Sequence, residues 1–322
     1  WRGNAELVRP MLPRVREILA VFEPFIDGEG LLHRLPGWNF IDWVEGWDRG
    51  VPRVEKDAIC GVLNWQYIYA LADAARLEEH FGHGEFAAFY RRRAQECAGA
   101  VIRHFWDAKR GLFADDTAHR HFSEHSQSLA VLSGMLSEPR MKQIGEGLVR
   151  EPELDRTTVY FSHYLFEAAH CLKRPELFYP RLKYWFDLPA QGFKTVPERP
   201  EPSRSDCHAW GTHPYYHFFA TILGIRPADY GFKTVDIAPM PGALTHINGT
   251  MVHPQGEIRV DLQRTDEGLE AEIRLPQSLT GIFNYRGCRC LLRGGLQKVT
   301  VSRRQYSESG RETEEVLSEP VN

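Results

Sequence analysis

The stretch TVPERPEPSRSDCHAWGTHPYYHFFATILG (Thr195–Gly224) divides two periodicities. Upstream of it, apolar residues recur every three or four positions, as in Phe86, Phe89, Tyr90, Ala94, Cys97, Val101, Ile102 and Phe105. That spacing puts them on one helical stripe. Ile59, Val62, Leu63, Tyr67, Ala70, Leu71 and Ala74 repeat the pattern, and Gly82 and Gly84 break the two runs apart. Further helices are predicted near 4–24, 124–136, 138–149, 156–172, 174–186 and 207–224, with Ser123 as an N-cap. Downstream, GFKTVDIAPMPG (Gly231–Gly242) begins a period of two. Ile258, Val260 and Leu262 then alternate with Arg259, Asp261 and Gln263, and Leu269, Ala271, Ile273 and Leu275 repeat this after a turn. Period two with Gly, Pro and Asp turns predicts an antiparallel sheet folded as a small sandwich.

The expected organisation is a helical domain over 1–225, a β-sandwich over 226–306 and a polar tail over 307–322. Long loops at 27–55, 107–122 and 187–206 alternate with short ones, as in paired antiparallel helices with functional loops gathered at one end.

Composition excludes several partners. Lys plus Arg is 39 against 43 Asp plus Glu, a formal charge of −4, which does not favour nucleic acid. Apolar runs fall short of the ~20 residues that span a bilayer, so no membrane partner is expected. The six cysteines, at 60, 97, 171, 207, 288 and 290, form no C-x-x-C pair. In a chain this long they favour a reducing, cytoplasmic compartment over a disulfide framework. The start at Trp1, without Met or leader, predicts residues upstream.

Two segments carry chemistry. In the first, prolines flank the Glu198–Arg199 pair and hold its conformation, and Arg199 or Arg204 would keep Glu198 ionised. Glu201 and Asp206 are rival carboxylates. His208 and Trp210 follow at the start of the expected helix. The second segment, GWNFIDWVEGWDRGVP (Gly37–Pro52), sets Trp38, Trp43 and Trp47 among Asp42, Glu45 and Asp48. Aromatic faces beside carboxylates suit a sugar, so Asp42, Trp43, Trp47, Arg199, His208 and Trp210 are the candidate substrate contacts. One or two of the tryptophans are expected in the core.

No metal or other cofactor is expected. His213 and His217, at i and i+4, read as packing residues; His119, His121 and His125 read as exposed; Arg91–Arg93 read as a solvated face. Gly-rich nucleotide loops and a G-x-S-x-G elbow are absent.

In their order, FIDW (Phe40–Trp43), TVPER (Thr195–Arg199), SDCHAWG (Ser205–Gly211) and LGIRP…GF…IAPMPG (Leu223–Gly242) make most of the chain resemble family 78 glycoside hydrolases, the α-L-rhamnosidases. The resemblance implies an (α/α)6 barrel followed by a carboxy-terminal β-sandwich. It also implies inverting hydrolysis of a terminal rhamnose by an acid and a base about 6.5–9.5 Å apart. It assigns the base to Glu198, a sugar contact to His208 and a pocket aromatic to Trp43. The family's general acid belongs to a Cys-Pro-x-Arg-Glu or Asp-x-x-x-x-Glu segment upstream of FIDW, which this chain lacks. About eight helices are visible where the barrel needs twelve. The barrel is therefore expected to be partial, with the acid supplied by upstream residues of the same polypeptide or by another chain. Competing readings are a non-catalytic carbohydrate-binding or scaffold protein on a degenerate barrel, another six-hairpin glycosidase, and a sugar epimerase.

Overall fold

The computed structural model describes residues 1–54, 59–302 and 319–320. The chain forms two compact units, one of Ala5–Thr212 and one of His213–Asn322 with Trp1–Asn4.

The first unit is helical: α1 (Ala5–Ala20), α2 (Gly61–Phe81), α3 (Gly84–Phe105), α4 (Glu124–Leu132), α5 (Glu138–Arg150), α6 (Ser162–Leu172) and α7 (Tyr179–Asp187). Helix α2 packs against α1, α3 and α4, and α4 packs against α6. The predicted stripe of α3 is buried at Tyr90, Ala94, Cys97, Val101 and Phe105. Phe86 is not; it lies at the exposed edge, beneath the Arg16 guanidinium. A two-stranded ribbon, β1 (Trp106–Asp107) with β2 (Leu112–Phe113), follows α3.

Several predicted helices are shorter than their apolar spacing suggests, and two of them bear on the site. Residues 156–158 do not begin α6, because the Thr157 and Thr158 amides donate to the carboxylates of Glu124 and Asp42. The helix expected over 207–224 breaks into a 3-10 turn (Ala209–Thr212), one α-turn (Pro214–His217) and a π-turn (Phe218–Ile222).

Those broken turns explain the unit boundary. The Met240 amide donates to the Thr221 and Ile222 carbonyls, and Arg226 donates to the Ala220 carbonyl, which ties the segment to the strands. The compact units therefore divide at Thr212, although the change from helix to strand falls at Ile225. Trp1 also belongs to the second unit, edge-on to Tyr216 and Phe232.

The second unit is a sandwich of two sheets. One comprises β3 (Ile225–Pro227), β4 (Thr234–Ile237), β8 (Thr280–Tyr285) and β9 (Cys288–Leu292). The other comprises β5 (His246–His253), β6 (Gly256–Arg264), β7 (Gly268–Leu275), β10 (Gly295–Ser302) and β11 (Glu319–Pro320). The register Val260↔Ile273 and Leu262↔Ala271 sends both sets of apolar residues to one face, where they meet Val235, Phe283 and Leu292 of the opposite sheet. Pairing is antiparallel except for β4 with β8, which run parallel. The alternating pattern does not encode that exception, because period two is the same for either direction. Apart from β11, the polar tail over 307–322 lies outside the described residues.

Candidate active site

The loop before α2 folds back on itself through Gly50, whose carbonyl accepts from the amides of Ile41 and Asp42. Gly50 has φ +81°, and a Cβ there would lie 2.4 Å from the Phe40 ring. The fold-back buries Asp42 completely. Its carboxylate accepts from the Thr158 amide (2.7 Å), the Trp43 amide (2.9 Å) and the Thr158 hydroxyl, and pairs with His125 Nε2 at 2.9 Å. Asp42 is thus an anchor beneath Trp43.

His125 is fully buried, contrary to the exposed position expected for it. Its ring lies between Trp47 and Phe161, at centroid distances of 4.7 and 4.4 Å. The Asp42 carboxylate supplies the polar contact that makes burying an imidazole tolerable.

Trp43 points away from that anchor. Its indole N–H donates to Glu198 Oε1 at 3.1 Å, and the guanidinium carbons of Arg199 and Arg204 lie over its ring at 4.9 and 5.3 Å from the centroid. Glu198 is only 5% exposed. Its other carboxylate oxygen lies 3.8 Å from Arg204 Nε. An N–H donor and a cation thus face its two oxygens. The loop backbone is held where Glu198 N donates to Ser205 O and His208 N donates to Val196 O, each at 2.8 Å. Trp210 Nε1 donates to the Glu198 carbonyl, and the Trp210 ring contacts His208 (4.4 Å) and Tyr160 (4.9 Å) and stacks on Phe40 (6.2 Å). Gly211 permits this closure, since a Cβ there would lie 2.3 Å from Val196 Cγ1.

Trp43, Trp47 and Arg199 line a cleft of about 1180 Å³, whereas Asp42, Glu198, His208 and Trp210 do not. Trp47 is mostly buried, and its N–H donates to Asp155 Oδ2 at 2.8 Å. Trp38 is 59% exposed, its N–H donating to the Arg49 carbonyl. The structure therefore joins Trp43, Glu198, Arg199, His208 and Trp210 in one network and sets Asp42 below it. Among the rivals, Glu201 is exposed and accepts from the Ser203 amide, and Asp206 is exposed.

Sequence reading missed Glu124, Asp155 and Thr158. Glu124 opens α4 and is fully buried. It accepts from the Thr157 amide (2.8 Å) and hydroxyl (3.0 Å), Arg156 (3.0 Å) and Arg181. An acidic residue after a serine N-cap reads as an ordinary helix-dipole partner. Nothing local announces donors 32, 33 and 57 residues away.

Four findings place the chain among known proteins. The sequence model of the bacterial alpha-L-rhamnosidase C-terminal domain matches residues 224–282. An alpha-L-rhamnosidase of Formosa agariphila is 26% identical over 266 residues, covering 75% of this chain and 28% of that protein. The GH78 family rhamnosidase of Bacillus sp. GL1 superposes with a TM-score of 0.76 at 26% identity, over 88% of this chain and 31% of its own. A rhamnosidase from Klebsiella oxytoca with rhamnose bound gives 0.55 at 25% identity, over 65% of this chain and 42% of its own. The chain thus spans less than a third of the first two relatives. Matched motifs, sequence likeness and superposed fold agree: the chain is similar to the α-L-rhamnosidases of glycoside hydrolase family 78.

Proposed function

We propose that this chain carries the base side of an α-L-rhamnosidase-like active site, with Glu198 as the general base for inverting hydrolysis of a terminal α-L-rhamnosyl or related deoxyhexosyl bond. One observation carries the reading: a nearly buried carboxylate is oriented by the Trp43 N–H and Arg204 next to an aromatic-walled cleft. A base must hold a lone pair towards the water it deprotonates, and the Trp43 N–H and Arg204 fix the two carboxylate oxygens. Their fixed positions also aim the carboxylate.

In this reading Trp43 offers a face to the sugar, and His208, Arg199 and Trp210 contribute polar and aromatic contacts around it. Asp42 works one step back by holding the backbone under Trp43. Trp47 forms the far wall. The proton donor in the family's arrangement lies upstream of the Phe40–Trp43 motif, about 6.5–9.5 Å across the bond from the base. No cofactor is needed for this chemistry.

The test is hydrolysis of an aryl α-L-rhamnoside by the full-length protein. Glu198→Gln keeps the shape and the Trp43 contact but cannot accept the proton. Turnover should fall about 10²–10⁴-fold with little change in KM. A variant with near-normal kcat removes Glu198 from the mechanism.

A further inference from the structure

We propose that Arg156 and Arg181 form an anion seat in the cleft wall, which selects substrates carrying an oxyanion on the sugar next to the cleaved residue. The inference rests on the glycosidase reading and specifies its substrate class. Glu124 Oε1 accepts from one nitrogen of Arg156 and one of Arg181, while Oε2 is taken by the Thr157 amide and hydroxyl. One buried negative charge therefore holds two guanidiniums, and one positive charge is left over. Each fork spends a single nitrogen on Glu124; a guanidinium carries five N–H donors in a rigid plane.

Both forks remain accessible. The side chains of Arg156 and Arg181 are 48% and 24% exposed, and both line the cleft that Trp43 lines. Asp155, the obvious neutralising neighbour, is engaged elsewhere: Trp47 Nε1 donates to one oxygen, and Arg53 lies 3.7 Å from the other. The pair is also held from three directions. Arg181 comes from α7 and Glu124 from the start of α4. Arg156 comes from a strap fixed by backbone bonds between Glu124 N and Asp155 O and between Asp155 N and Phe122 O, both 3.0 Å. Preorganised, paired guanidiniums bind planar or tetrahedral oxyanions through parallel N–H donors. A neutral rhamnoside leaves those donors to water. The carboxylate of a uronic acid and the sulfate ester of a sugar present the same chemistry.

Calorimetric titration of the full-length protein tests the seat with four ligands: an α-L-rhamnosyl-glucuronate disaccharide, its methyl ester, a rhamnosyl disaccharide bearing a sulfate ester, and the unsulfated parent. At low salt, at least one charged ligand should bind about tenfold more tightly than its neutral counterpart, and which one does so identifies the source. The preference should shrink at 0.5 M salt, because the cleft is open to screening ions. In Arg156→Gln the charged-to-neutral ratio should fall to within about twofold. Arg181→Gln serves as the second variant, with melting curves confirming the fold of each. Equal binding of charged and neutral ligands by the wild type overturns the seat and leaves the glycosidase reading standing. A ratio unchanged in both variants also overturns it. Failure of the wild type to bind any rhamnoside removes both.

Discussion

Asp115 is a carboxylate that the fold keeps at a cost. It is buried under the start of α4, where it accepts from the hydroxyls of Ser126 and Ser123. Burial raises its pKa to about 7, against those two bonds and the nearby His125, which lower it; Asp155 adds a smaller upward push. In an unfolded chain an aspartate titrates near ~3.9. Between these values the folded chain binds more protons than the unfolded one, so stability falls as pH rises. The contribution is complete below ~4, declines through about 7 and is flat above it. Glu78, whose pKa is lowered mainly by its bond to Arg16, acts in the opposite sense and only in acid: its contribution is present above ~4.3 and lost as pH falls. Urea melts at pH 5 and pH 8 separate the two. Wild type should be more stable at pH 5, and Asp115→Asn should narrow the difference while retaining the oxygen that accepts from both serines. A variant with the same pH 5 to 8 difference as wild type would refute this account of Asp115.

The loop over 37–52 is an element built by one glycine and one carboxylate. Gly50 takes a left-handed φ and packs its Cα against the Phe40 ring, and Asp42 ties the loop to Thr158 and His125. Gly50→Ala should cost about 1–3 kcal/mol, from backbone strain together with the displaced ring. Because Phe40 and Trp43 lie 5.0 Å apart, the same change should disturb the Trp43–Glu198 bond. Chemical denaturation gives the first effect, and aryl rhamnoside turnover gives the second. Unchanged values of both would mean that the loop is not the support described. The members of this network stand out in sequence because they lie in short motifs: proline-flanked Glu198, Trp43 among acids, and His208 beside Trp210. The reading failed where burial decides a role. In their own segments Asp42 reads as a sugar contact, His125 as exposed and Glu124 as an ordinary helix-start acid, and each is buried by partners from distant segments. No window of a dozen residues contains that information.

At the scale of the molecule, two periodicities foretold two architectures, since a helix and a strand expose the same alternation of solvent and core at different spacings. What they did not foretell is where one compact unit yields to the next. Thr212 rather than residue 225 marks it, because tertiary bonds to Thr221, Ile222 and Ala220 override the apolar run of Tyr215–Leu223. The sandwich provides a sharp check on how far a face assignment carries energy. Ile273 is fully buried opposite Val260 in the shared core, whereas Val252, on β5 of the same sheet, is 85% exposed. Both are β-branched residues within strands, so local propensity ranks them alike. Burial does not. Ile273→Ala removes methylene and methyl groups from a close-packed interior and should cost about 2–5 kcal/mol. Val252→Thr changes a side chain already in water and should stay within about 0.5 kcal/mol. Guanidinium melts followed by near-ultraviolet circular dichroism measure both. Similar losses for the two variants would show that strand propensity, rather than the buried face common to the two sheets, holds this unit together.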